Sequence, residues 1–260
     1  MSEYSPGTFG WVDLATTDAA GAKEFYTGLF DWTYEDNPAG PDMVYSMCSV
    51  GGKEAAGLSE MGPDMKSQGI PPHWSSYVSV ASADETASKA KELGGNLIME
   101  PFDVMEAGRM AIIQDPTGAM ISVWQPNQHK GAAVTNQPGS LTWNELATND
   151  TATAETFYNA LFGWTSQTQD MGGGFNYTSF SVGDRPNGGM MQIQAEWGDV
   201  PPHWGAYFAV ADCDATCEKA TTSGGTLLNG PQDIPEVGRF ATLQDPQGAV
   251  FNVIQLSNPQ

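Results

Sequence analysis

The residues able to do chemistry in this sequence come in matched pairs. Asp13 stands two positions after Trp11 in WVDLATTD, and Glu145 two after Trp143 in WNELATND. His73 follows Pro71-Pro72 in IPPHWSSYVSV, and His203 follows Pro201-Pro202 in VPPHWGAYFAV. A carboxylate beside an imidazole forms an acid–base pair, the anion orienting the ring and raising its pKa. Asp13 with His73 is therefore the candidate catalytic pair. A structural reading stands beside it, in which the acids are satisfied buried carboxylates and the histidines bond a loop carbonyl. Cys213 and Cys217, four apart in ADCDATCEKA, would share one face of a helix. A metal or redox pair needs further ligands, and none is near in sequence, so buried thiols are the simpler expectation. Arg109 and Arg239, each after a Gly, are expected to pair with Glu106 and Glu236 at the surface. His129 falls in a linker and receives no role.

The pairing of these residues reflects a duplication. WVDLATTDAAGAKEFYTGLFDW from Trp11 recurs as WNELATNDTATAETFYNALFGW from Trp143, and GRMAIIQDPTGAMISV from Gly108 recurs as GRFATLQDPQGAVFNV from Gly238. Self-similarity in a fixed order marks a repeated domain. The 260 residues suit two domains of ordinary size. With 10 Lys+Arg against 31 Asp+Glu, the net charge of -21 makes nucleic acid and anionic membranes poor partners. There is no apolar run of ~20 residues to span a bilayer. MSEYSPGTFG lacks the basic region and apolar core of a secretory signal, so a cytoplasmic location is expected. Three Cys without such a signal argue against a disulfide framework.

Thr8–Thr16 alternates as a strand. Asp18 is placed to cap a helix whose apolar face carries Phe25, Tyr26, Leu29 and Phe30. Gly and Pro at Asn37–Pro41 break the chain, and Met43–Val50 and Ala55–Met61 read as strands joined at Gly51-Gly52. A second such unit follows: a strand over His73–Ala81, a short helix capped by Asp84 and ended at Gly94-Gly95, then strands near Leu97–Glu100, Arg109–Gln114 and Met120–Gln125, with Asp115-Pro116-Thr117-Gly118 as a turn. Gln128–Gly139 reads as a linker. The second half repeats the pattern to Leu256. The expected fold is α+β, four βαβββ units in two tandem domains, 1–127 and 140–260, joined by 128–139.

Four such units, with helices ending in FYTGLFDW or FYNALFGW and late DPTGA or DPQGA turns, resemble the vicinal oxygen chelate superfamily, which includes glyoxalases, bleomycin-resistance proteins and extradiol dioxygenases. The resemblance covers about residues 8–127 and 139–257. It implies tandem glyoxalase/bleomycin-resistance-like domains with curved mixed sheets, each forming a cup that holds a small molecule, usually on a divalent metal. It also implies where the metal ligands should lie: at Trp11, Ser75, Ser122 and near Gly57 or Leu58 in the first half, and at Trp143, Gly205, Asn252 and near Gly189 or Met190 in the second. Indole, glycine and aliphatic side chains do not hold a divalent ion, and Ser and Asn are weak oxygen ligands. No cofactor is therefore expected, with a metal held by displaced ligands such as His73 with Asp13 or Glu60 kept as an alternative.

Side chains two apart share a strand face. If those ligand positions point into the cups, so do Asp13, His73, Tyr77, Met120 and Trp124, and in the second half Glu145, His203, Tyr207, Val250 and Ile254. The candidate binding residues are then Trp11, Ser75, Tyr77, Ser122, Trp124, Trp143, Glu145, His203, Tyr207 and Asn252, an aromatic-lined composition typical of small-molecule sites. Two classes of function follow. One is a protein that binds a flat, mostly apolar molecule. The other is a metal-dependent or metal-independent lyase or oxygenase using Asp13 and His73. A monomer is expected, since fusion already supplies paired units.

Overall fold

The computed structural model describes residues 4–40 and 43–258. The first half runs β1 (Phe9–Thr16), α1 (Ala19–Phe30), β2 (Thr33–Gly40), β3 (Met43–Val50), β4 (Lys53–Glu60), α2 (Pro63–Ser67), β5 (His73–Ser79), α3 (Ala83–Glu92), β6 (Asn96–Val104), β7 (Gly108–Gln114) and β8 (Met120–Pro126). The second half repeats it as β9 (Leu141–Thr148), α4 (Thr151–Phe162), β10 (Thr165–Asp170), β11 (Asn176–Val182), β12 (Arg185–Gln192), a 3-10 turn at Ala195–Trp197, β13 (His203–Ala209), α5 (Cys213–Thr222), β14 (Thr226–Ile234), β15 (Gly238–Gln244) and β16 (Val250–Leu256). Each half forms one eight-stranded sheet, in the orders β2-β3-β4-β1-β5-β8-β7-β6 and β10-β11-β12-β9-β13-β16-β15-β14. The sheets are mixed: β1 runs parallel to β4 and β5 parallel to β8, while the hairpins are antiparallel. This is the expected α+β architecture of tandem domains.

Alternation along the strands sorts the side chains. Val12 and Leu14 of β1, Ala111 and Ile113 of β7, and Ala241 and Leu243 of β15 are all fully buried in the helix-packed cores. The residues between them face away from the helices. Asp18 caps α1 as its sequence predicts, Oδ1 accepting from Gly21 N at 3.0 Å. The helix ends on Asp31 in the left-handed region (φ 56°), a place Gly163 takes in α4.

The packing answers a question that the repeats leave open. Among the described residues, one compact unit joins 11–40, 43–75, 132–142 and 206–258, and the other joins 4–10, 76–131 and 143–205. The first βαβββ quarter thus packs with the fourth, and the second with the third. In the first of these units, Phe25, Tyr26, Phe30 and Trp74 pack with Phe208 and Phe251. In the other, Phe157, Tyr158 and Trp164 pack with Val78, Ile113 and Ile121. The stretch around 128–139 lacks regular structure, yet Ala132 and Val134 are buried.

Four local expectations change. The cap of α3 is Ser82, whose Oγ accepts from Glu85 N at 3.2 Å, and not Asp84. Asp84 sits in the first turn and takes Arg109 through Nε and Nη2 at 2.7 and 2.9 Å. Arg109 pairs also with Asp103 rather than with Glu106, and Arg239 pairs with Asp214 and Asp233 rather than with Glu236. The reason is direction: Arg109 and Arg239 face the helix side of their strands, where α3 and α5 present an aspartate. The guanidinium groups hold Asp84 and Asp214 below the usual carboxylate range. The segment expected to break at Asn37–Pro41 is strand β2 through Gly40, with Pro41 outside the described residues. It is a sheet edge, where a proline is tolerated, and the register against β3 shifts just after Pro38.

Candidate functional site

Each first strand carries a three-residue hydrogen-bond relay on its helix-free face. Trp11 Nε1–H donates to Tyr45 Oη at 2.9 Å, and Tyr45 in turn donates to Asp13 Oδ2 at 3.2 Å. The twin uses Trp143, Tyr177 and Glu145, at 2.9 Å and 2.8 Å. Tyr45 reaches Trp11 and Asp13 because β4 offers Gly57 opposite Asp13; a Cβ there would overlap the Tyr45 hydroxyl. Gly189, opposite Glu145, makes the same space for Tyr177. Burial first, and the Glu145 charge second, raise the Tyr177 phenol far above its ordinary value, in keeping with a hydroxyl that keeps its proton and donates it to Glu145.

Tyr45 and Tyr177 were not among the candidate residues. Their signal was present: each Trp is followed 34 positions later by a Tyr, and the Gly comes at a matching distance beyond in both halves.

The same observation tests the divalent metal. The implied ligand positions hold Trp11 and Gly57, and the space over Gly57 is filled by a phenol already engaged by an indole N–H and a carboxylate. The second half repeats this at Trp143 and Gly189. Among the described residues no group of three or more His, Cys, Asp or Glu is arranged to hold a metal ion. These side chains do not fit the ion.

The other candidates divide. His73 Nδ1 lies 2.8 Å from Pro71 O and His203 Nδ1 2.9 Å from Pro201 O, as the structural reading supposed. A carbonyl only accepts, so Nδ1 carries the proton in both rings and Nε2 is the basic nitrogen of the neutral form. Ser75 lies half-buried on β5 between His73 and Tyr77. Tyr77 stands opposite Ser122, and Tyr207 opposite Asn252. Trp124 donates its N–H to the His129 carbonyl at 3.0 Å and covers Gly108 with its ring. His129 is thus a packing partner, and burial lowers its own pKa. Cys213 and Cys217 are buried free thiols, and burial pushes Cys213 up to about 12.

On the helix-free face of β5, β8, β7 and β6, register places two rows side by side. One holds Tyr77, Ser122, Ile112 and Met99; the other holds Ser79, Trp124, Met110 and Phe102. Neither row carries a charge. Met99 and Phe102 are exposed at 43% and 38%, while Tyr77 and Met110 are nearly covered, so the apolar surface opens toward the sheet edge. An open depression of about 320 Å³ on the helix side, lined by Leu93, Pro116, Ala152, Thr153, Thr156 and Phe157, brings no titratable group.

A mixed sheet of paired βαβββ units with polar and aromatic side chains on its helix-free face defines the fold of the vicinal oxygen chelate class. The chain belongs to the Glyoxalase/Bleomycin resistance protein/Dioxygenase superfamily, whose sequence model matches residues 8–123 and again 140–253. CFP32 of Mycobacterium tuberculosis (strain CDC 1551 / Oshkosh), a presumed glyoxylase by its name, is 46% identical over 255 residues, covering 98% of this chain and 97% of its own. The anthracycline biosynthesis protein DauV of Streptomyces sp. (strain C5) is 38% identical over 270 residues, covering 98% and 96%. Among solved structures, the Mn(II)-bound glyoxalase from Novosphingobium aromaticivorans superposes with a TM-score of 0.64 at 13% identity, covering all of this chain and 87% of that one. An extradiol ring-cleaving dioxygenase from B. fuscum gives 0.67 at 12%, covering 99% and 74%. At such identities the structures speak for the fold alone.

Proposed function

We propose that this protein binds a flat, mostly apolar or aromatic small molecule on the helix-free face of β5–β8, without a metal ion. The observation that carries the reading is the pair of uncharged rows ending in Met99 and Phe102, with Trp124 and Met110 behind them. Aromatic and thioether groups together supply a polarisable, adaptable surface for a planar ring. The relay at Trp11, Tyr45 and Asp13, where relatives of the fold would place a metal, supports the metal-independent part. The name of the anthracycline biosynthesis relative is in keeping with a planar aromatic ligand.

The test is titration of EDTA-treated protein with 1,4-dihydroxyanthraquinone, read by quenching of Trp fluorescence. Binding on the micromolar scale, about −8 kcal/mol, is expected, weakened roughly tenfold by Trp124→Ala. Affinity unchanged in both Trp124→Ala and Phe102→Ala would overturn the reading.

A second reading is acid–base catalysis by Asp13 and His73, and one observation supports the part it gives to His73. The Pro71 carbonyl fixes the His73 tautomer with Nε2 as the basic nitrogen. Its test is loss of turnover in both Asp13→Asn and His73→Gln once a substrate is found.

A further inference from the structure

We propose that the second half carries a separate site for a neutral, hydroxyl-rich small molecule, on the helix-free face of β13, β16, β15 and β14. The residues there occupy the same register as the apolar rows of the first half, yet their chemistry has changed. Tyr207, Asn252, Thr242 and Asn229 form one row, and Ile254, Phe240 and Gln232 form the next. Where the first half has Ser122, Ile112, Met99 and Phe102, the second has Asn252, Thr242, Asn229 and Gln232. Three of these positions have gained an amide or hydroxyl where the first half is apolar, the fourth exchanges a hydroxyl for an amide, and none has gained a charge.

That combination selects its ligand. Amides and hydroxyls both donate and accept, as a ring of alcohol groups requires. Thr242 Oγ1 donates to Asn252 Oδ1 at 2.7 Å, which fixes the amide. Asn252 Nδ2 then meets the Ala206 carbonyl only at 3.5 Å, the limit of a hydrogen bond, so its donor capacity is poorly used. Asn229 and Gln232 are exposed near the sheet edge. Tyr207 and Phe240, ring centroids 6.3 Å apart, give an apolar platform for the C–H face of a polyol. A flat hydrocarbon here would strip water from the exposed Asn229 and Gln232 amides without replacing their bonds. An anion would find no counter-charge in either row and would meet a chain of net charge -21.

The site uses none of the residues proposed to hold the planar ligand, so the two fail separately. The experiment is saturation-transfer NMR on the full chain with D-glucose as the neutral hydroxylated probe and 1,4-dihydroxyanthraquinone as the planar one. Glucose should receive saturation in the wild type and in Trp124→Ala. In Asn229→Met/Gln232→Phe, exposed changes that install the first half's residues, its affinity should fall roughly fivefold, the scale of one or two neutral hydrogen bonds. Asn252→Ser is the independent variant, checked for native circular dichroism, and should weaken glucose by a similar factor. No saturation of glucose in the wild type, or saturation untouched by both sets of changes, would overturn the proposal. Loss of the anthraquinone signal alone would count against the first-half site and leave this one standing.

Discussion

The Tyr26 hydroxyl donates to Asp245 Oδ2 at 3.0 Å, joining residues 219 positions apart, and receives the Trp74 indole N–H at 3.0 Å. Tyr26 belongs to the FY signature of α1, and Asp245 opens the late DPQG turn. The most recognisable motif of the first quarter is thus bonded to the most recognisable motif of the fourth. Tyr158 repeats the arrangement, taking Trp204 at 2.8 Å with the charge of Asp115 beside it. The other oxygen of Asp245 accepts from the backbone N–H groups of Gln247, Gly248 and Ala249 at 2.8 to 3.0 Å. One carboxylate therefore ties its own turn to a helix from the far end of the chain.

Tyr26→Phe should be strongly destabilising. It leaves a buried indole N–H and one carboxylate oxygen without a partner, each costing about 1–3 kcal/mol. We expect a loss of roughly 2–4 kcal/mol, seen as a lower urea midpoint with an unchanged slope. A loss below about 0.5 kcal/mol, the level of an ordinary surface change, would deny the bond its role.

Asp245 also makes a pH prediction. Burial raises its carboxyl above the ordinary value of 3.8, so the folded chain binds this proton more tightly than the unfolded one. Its contribution to stability is fully present below the unfolded value and is lost as pH rises through the raised folded value. Asp245→Asn lacks that titration. Wild type should therefore gain stability relative to Asp245→Asn as pH is lowered from 7 toward 4, and urea unfolding at several pH values will show the sign.

The histidine tautomers can be read directly. Long-range ¹H–¹⁵N correlation spectra at alkaline pH should show His73 and His203 protonated at Nδ1, because each faces a proline carbonyl. A protonated Nε2 with a bare Nδ1 would contradict the geometry, and would remove the support for His73 as a base.

The sequence disclosed the duplication and the strand–helix order, because each is written in local residue types: Asp18 for a cap, Gly163 after a helix. It did not disclose which quarters pack together, since Tyr26 and Asp245 carry no mark of one another until the core is assembled. Asp84 looked like a cap because its type is right; only the strand direction of Arg109 shows that its carboxylate is engaged elsewhere. Strand β2 hid because Thr33–Gly40 is an edge with no buried face to impose alternation. The phenol in the candidate site hid for a different reason. Tyr45 lies one strand away from the residues it bonds, and the feature that admits it is a missing Cβ at Gly57.

Gly57 therefore supplies the sharpest test of the relay. A methyl group at this position would overlap the Tyr45 hydroxyl and crowd Asp13 Cβ, so Gly57→Ala must displace the phenol. Trp11, 5% exposed, then loses the acceptor for its buried N–H, and Asp13 loses a donor. Overpacking and the lost bonds together should cost about 2–4 kcal/mol. Tyr45→Phe removes only the hydroxyl and should cost less, about 1–2 kcal/mol. The two changes act on one interaction, so Gly57→Ala/Tyr45→Phe should cost clearly less than the sum of the singles. Simple additivity in that cycle would mean that Gly57 is required for a reason other than room for Tyr45, and the relay would no longer account for that glycine.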